Sequence, residues 1–185
     1  RVIVEVDETF LNRQKRTRLS PGTRPQAHQV WLWGLVVVGF PQLFFFRVLE
    51  HPDDALDGRP RGATEIKKCF DMVGLPPLTT IVSDKWRGTI AAVKRYRTAN
   101  GMTEIQLRHE LVDHSAGEAT NERGYTTNHI EGRWSVLKRW ARYRCGGSLP
   151  TFRDRAQWKL LLAELQFRKL LHAQKGFPTK RSGMR

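Results

Sequence analysis

The stretch 126–144, TTNHIEGRWSVLKRWARYR, constrains this chain more than any other. On a helix, at about 100° per residue, Ile130, Trp134, Leu137 and Ala141 fall at i, i+4, i+7 and i+11 and make one apolar stripe. Asn128, Glu131, Ser135, Lys138 and Arg142 share the neighbouring arc. An amide, a carboxylate and two cations therefore line up beside a buried seam. A carboxylate there needs a counter-charge or a metal. Lys138, two turns along, supplies the first, and an ordinary helix ion pair gives the same pattern.

The chain before this helix reads as sheet and crossover. Residues 1–7, RVIVEVD, alternate and are β-branched, which predicts a strand ending at Asp7 with Val2, Val4 and Val6 on one face. Residues 9–29 form a long polar loop with Arg13, Lys15, Arg16, Arg18 and Arg24, broken at Pro21-Gly22. Its charge fits contact with phosphate and fits a solvated hairpin tip equally. Near-continuous apolar runs at 29–40 and 42–50, separated by Gly39 and Pro41, predict two buried strands. Three successive antiparallel strands thus open the fold. Asp53, Asp54 and Asp57 lie in a turn-rich connection, where no neighbouring element fixes their geometry, and read as solvated carboxylates.

Ile66, Phe70 and Val73 predict a helix over 63–74, capped by Thr64 and stopped by Pro76-Pro77. Residues 78–84, LTTIVSD, predict a short strand ending in an acid, with a helix at 89–98 after it. A helix between strands implies parallel placement beside the first strand. Ligands collect at the carboxyl ends of such strands. If the strands are neighbours, Asp7 and Asp84 come within reach of one metal ion, since strands lie about 5 Å apart. Residues 103–108 predict a further short strand and 109–125 a loop. His114 and Ser115 in that loop lack a defined acid partner, so a Ser/His hydrolase reading is weak. A last helix at 151–171, apolar on more than one side, is expected to pack against the sheet.

A chain of 185 residues with 39% hydrophobic content can bury a real core as one domain or one domain with an extra piece. It has no run of 18 apolar residues and no signal-peptide pattern, so no membrane is expected. The absence of a starting Met suggests a domain cut from a longer chain. Cys69 and Cys145 lack metal-ligand spacing and read as reduced thiols of an intracellular protein. The net charge of +14 is uneven: residues 133–185 hold 14 Lys and Arg against 2 Asp and Glu. Such a basic half points to nucleic acid. A solvated tail explains residues 175–185 equally well. It does not explain 133–144, where Trp134 and Trp140 sit among the charges.

Three acids now have addresses: Asp7 and Asp84 at strand ends, and Glu131 on a late helix. With the order β-β-β-α-β-α-β-α-α, this is an α/β, RNase H-like (retroviral integrase-like) arrangement, a mixed five-stranded sheet flanked by helices. Carboxylate oxygens with open coordination suit Mg²⁺ or Mn²⁺, and two such ions are expected. The motifs VDETF (6–10), IVSDKW (81–86), LVDHS (111–115) and above all TNHIEGRWSVLKR (127–139) resemble the DDE transposases of the Merlin superfamily and their bacterial insertion-sequence relatives. The similarity spans nearly the whole chain. In that family a His often precedes the Thr-Asn pair, whereas here Thr126 stands there.

The resemblance implies cut-and-paste DNA transposition by a catalytic domain over 1–174, followed by a basic tail at 175–185. By it Asp7, Asp84 and Glu131 form the metal-binding catalytic triad, Asn128 assists, and Lys138 touches DNA near the cleaved phosphate. Arg139, Arg142 and Arg144, with Arg16 and Arg18 of the early loop, are the expected backbone-binding cations. Trp86 and Trp140 are candidates to stack on bases; Trp134 fits the core better. The expected partners are DNA at transposon ends and target, and a second copy of the chain in the DNA complex. The expected compartment is the nucleus in a eukaryote and the cytoplasm or nucleoid in a bacterium. A non-catalytic DNA-binding module and a structure-selective nuclease on the same fold are the alternatives.

Overall fold

The structure is a computed structural model that describes residues 1–11, 31–49, 61–146, 157–158 and 160–166. The expected early loop, with Arg16 and Arg18, lies outside the described residues, as do Asp53, Asp54, Asp57 and the tail. The chain divides into two compact units, Arg1–Leu149 and Pro150–Arg185. In the second, residues 157–158 and 160–166 are helical, and Trp158, Leu161, Leu162 and Leu165 are buried.

The first unit is α/β, with a five-stranded mixed sheet flanked by helices. In chain order it runs β1 (Val2–Phe10), β2 (Trp31–Val37), β3 (Phe40–Val48), α1 (Ala63–Val73), β4 (Thr79–Asp84), α2 (Arg87–Ala99), β5 (Leu107–Val112) and α3 (Asn128–Arg144). The strand order across the sheet is β3-β2-β1-β4-β5. β1 pairs antiparallel with β2, and β2 with β3. β1 pairs parallel with β4, and β4 with β5, as helical crossovers require. Pro41 sits in β3, an edge strand, where a missing backbone donor is tolerated.

Alternation gives the sheet two apolar faces. Val4, Val6, Trp33, Leu35, Ile81 and Leu107 pack against Ile66 and Phe70 of α1 and Ala92, Val93 and Tyr96 of α2. On the opposite face α3 lies across β1 and β2. All four residues of its predicted stripe, Ile130, Trp134, Leu137 and Ala141, are buried. The approach is close. The Trp134 ring sits edge-on to Phe44, with centroids 5.2 Å apart, and occupies the space that a Cβ on Gly34 would need. Among the described residues no helix is long and apolar enough to cross a membrane.

Several expected boundaries move. β1 does not stop at Asp7 but runs to Phe10, because pairing with β2 continues from Asp7–Gly34 to Phe10–Trp31 after the parallel ladder with β4 has ended at Glu5–Val82. Thr64 does not cap α1: Gly62 takes that position, and the Thr64 hydroxyl accepts a hydrogen bond from Arg95 instead. α1 ends as expected, with Gly74 in the left-handed region (φ 66°) and its N–H on the Phe70 carbonyl. The strand expected at 103–108 begins only at Leu107. Thr103 and Gln106 exchange side-chain-to-backbone hydrogen bonds and turn the chain there. His109, expected in a loop, therefore lies inside β5 opposite Ile81.

The contact between α3 and β2 is directly testable. Gly34→Ala forces a methyl group into the rigid Trp134 indole. It should lower the unfolding free energy by about 1–3 kcal/mol, the usual cost of overpacking, measured as a fall in urea midpoint at unchanged slope.

Candidate functional site

The central strand β1 carries three carboxylates within four residues, and the structure treats each differently. Glu5 is buried, its side chain 1% exposed. Its Oε2 accepts the backbone N–H of Ile130 at 3.0 Å, and its Oε1 accepts from Nδ1 of His129. A carboxylate from β1 thus caps the N-terminus of α3, where the helix dipole favours negative charge. Glu8 points to the other face. It takes the Thr89 hydroxyl at 2.6 Å and the Arg61 guanidinium at 2.9 Å. Arg61 is itself held between the rings of Trp31 and Trp86, 4.3 and 4.2 Å from their centroids. Burial pushes the Glu8 carboxyl upward, opposed by Thr89 and Arg61.

Asp7 makes no ion pair among the described residues. It accepts hydrogen bonds from Trp134 Nε1, at 3.0 Å, and from the Glu8 backbone N–H. Burial, then the charges of Glu8 and Asp84, push its carboxyl up to about 7. The parallel register sets Val2 opposite Thr79 and Glu5 opposite Val82 and ends there, and Asp7 and Asp84 each lie two residues further along their strands. Residues opposite one another in parallel strands point to the same face. Asp84, half-buried at the end of β4, accepts the backbone N–H of Trp86 at 3.0 Å, a turn that leads into α2. Lys138 reaches the same area, with Nζ 5.5 Å from the centroid of the Phe10 ring. Burial lowers its pKa, and the charge of Asp7 works the other way.

Glu131 stands in the first turn of α3, its side chain 52% exposed. It does not pair with Lys138. Its Oε1 accepts the Thr127 hydroxyl at 3.0 Å and lies 3.3 Å from Nε2 of His114. The structure thus brings Asp7 and Asp84 together, with Glu8 behind them and Lys138 beside them, and engages Glu131 elsewhere. Among the described residues no group of three or more His, Cys, Asp or Glu is arranged to hold a metal ion. Asn128 is exposed at the start of α3, its N–H on the Thr126 hydroxyl. Arg139, Arg142 and Arg144 are exposed along the same helix, while Trp140 is half-buried and Trp86 is 39% exposed.

Sequence reasoning missed Glu5, Glu8, Arg61, His129 and the role of His114. Glu5 was visible as an acid on the face of β1 opposite the valines. Arg61 carried no signal, since it lies in a turn-rich stretch. No family model, curated protein or solved structure matches the chain.

The Asp7 carboxyl yields a pH prediction. Its folded pKa lies above its unfolded value, so the folded state holds the extra proton between about pH 4 and 7. Stability from this group is present at low pH, falls through that window and is lost above it. Asp7→Asn removes the penalty. It should raise the unfolding midpoint at pH 8 by several degrees, about 2–4 °C per kcal/mol recovered in a chain of this size, and flatten the decline between pH 4 and 7 in a thermal-melt series.

Proposed function

We propose that the chain is the catalytic core of a DDE-type DNA transposase with an RNase H-like domain. It cuts a phosphodiester at the end of a mobile element and joins the freed 3′-hydroxyl to target DNA. The observation that carries this reading is the nearness of the Asp7 and Asp84 charges just beyond the end of the parallel ladder, where Asp84 and Glu8 push the Asp7 carboxyl up. The sheet order β3-β2-β1-β4-β5, with α3 laid across β1, supports it as well.

The donor set fits Mg²⁺ or Mn²⁺. Carboxylate oxygens are the hard ligands such ions take, and the raised Asp7 carboxyl reports charge that a cation would relieve. Asp7 and Asp84 would hold it, with Glu131 as the third ligand from α3. When bound, such ions activate the attacking water or hydroxyl and stabilise the leaving oxygen. The chain's own residues orient and neutralise. The Trp134 N–H fixes one Asp7 oxygen. Lys138 offers an ammonium to a phosphate oxygen beside the acids, and Asn128 offers an amide from the start of the same helix. Arg139, Arg142 and Arg144, with Arg16 and Arg18, bind the phosphate backbone, so affinity should fall steeply with salt. Cutting two ends at once calls for a homodimer on DNA.

One observation favours a second reading, a DNA-binding module without catalysis: Glu131 is turned to His114 and Thr127 rather than to Asp7. Calorimetry separates the two, since the enzyme takes up Mn²⁺ and a pure binder does not. A structure-selective nuclease would release cut strands and join none.

The test combines the protein, Mn²⁺ and DNA carrying the element's ends. The parent should cut and join, and Asp84→Ala should fall to background in both while still binding DNA in a gel-shift assay. Equal cutting and joining by Asp84→Ala would remove the metal-triad assignment.

A further inference from the structure

We infer that His114, acting with Thr127, is a positioning residue for the Glu131 carboxylate; the inference rests on the metal-dependent reading above and extends it to a residue outside the three acids. Nε2 of His114 lies 2.7 Å from the Thr127 hydroxyl, and that hydroxyl lies 3.0 Å from Oε1 of Glu131. A hydroxyl has one proton. Glu131, as a carboxylate, can only accept, so the proton of Thr127 goes to it. Nε2 must then carry a hydrogen and donate to the Thr127 oxygen. The same N–H lies 3.3 Å from Oε1. Nε2 is thereby fixed as a donor, and one carboxylate oxygen is held from two sides.

Thr127 is free for this task because of Glu5. A Thr at the N-cap ordinarily turns its hydroxyl onto a backbone N–H of the first turn. Thr127 occupies the N-cap of α3 and makes no such bond. The Ile130 N–H is taken instead by Glu5 of β1. Capping from a distant strand thus releases the local hydroxyl for the Glu131 side chain.

The turn that carries His114 is anchored to the end of β4. Asp113 pairs with Lys85, the residue after Asp84, at 2.7 Å. Its other oxygen accepts the Ala116 N–H at 3.2 Å and shapes the single 3₁₀ turn, His114–Ala116. A chain of contacts, Lys85–Asp113–His114–Thr127–Glu131, therefore ties the acid on α3 to the strand end that bears Asp84. Oε2 of Glu131 has no hydrogen-bond partner among the described residues. A carboxylate held through one oxygen and open at the other has the form of a metal ligand oriented by its neighbours, and loss of such neighbours typically weakens metal binding about 10–100-fold.

The experiment uses the full chain, ¹⁵N-labelled, with Mg²⁺ or Mn²⁺ as the probe. In metal-free protein, Glu131→Gln should shift the His114 ring-nitrogen resonances; unchanged resonances overturn the contact and the proposal, whatever the metal does. In titration calorimetry with Mn²⁺, His114→Ala and Thr127→Val should bind about 10–100-fold more weakly than the parent. His114→Gln, whose amide can donate from a similar reach, should restore most of the loss, with unfolding midpoints unchanged. A His114→Ala protein that binds Mn²⁺ like the parent overturns the proposal and leaves the Asp7–Asp84 reading standing. A parent that takes up no Mn²⁺, or an Asp84→Ala variant that binds it equally, overturns both.

Discussion

The central strand has to place three carboxylates inside a sheet, and the rest of the structure answers that constraint. Burying an ionised carboxylate costs several kcal/mol unless it is paired and hydrogen-bonded. Glu5 is satisfied by the N-terminus of α3 and by His129. Glu8 is satisfied by Arg61 and Thr89 on the opposite face. Both partners come from other elements, so each pairing also fixes tertiary structure: one seats α3, the other seats the start of α2 and the Trp31–Arg61–Trp86 stack. Asp7, between them, gets one indole N–H, the Glu8 backbone N–H and two acidic neighbours. Burial pushes the carboxyls of both Asp7 and Glu8 upward, and only Glu8 has a hydroxyl and a guanidinium working against it.

The seating of α3 depends on a close approach as well as on charge. Gly34 on β2 leaves room for the Trp134 ring, which packs edge-on to Phe44 while its N–H reaches Asp7. One side chain therefore serves the core with its ring and the candidate site with its polar edge, which Trp is suited to do. The same helix carries Glu131 at its start and Lys138 two turns later, so the depth at which Trp134 sits sets where both charges stand over the sheet.

Much of this was legible in the residues. The apolar stripe of α3 is buried at all four positions, because helical period and burial are tightly linked. The parallel neighbouring of β1 and β4 followed from a helical crossover, and it brought the charge of Asp84 close enough to act on Asp7. Strand ends were less legible, since they depend on which partner continues. β1 outlasts its parallel partner because β2 goes on pairing with it, and nothing within residues 8–10 announces that. The partners of the acids were least legible. Glu5 and His129 are 124 residues apart, as are no two groups that local periodicity could relate. Glu131 and Lys138 looked like a helix pair at two turns' spacing, yet His114, from a different segment, took the carboxylate.

That last choice has an electrostatic reason. Asp7, Glu8 and Asp84 already crowd one end of the sheet, and a third ligand arriving there as a bare carboxylate meets like charges in a partly dry environment, where repulsion is several-fold stronger than in water. Next to His114 and Thr127 it meets two donors instead. Thr127 and His114 both approach Oε1, so Glu131 stands where donors, rather than like charges, face it.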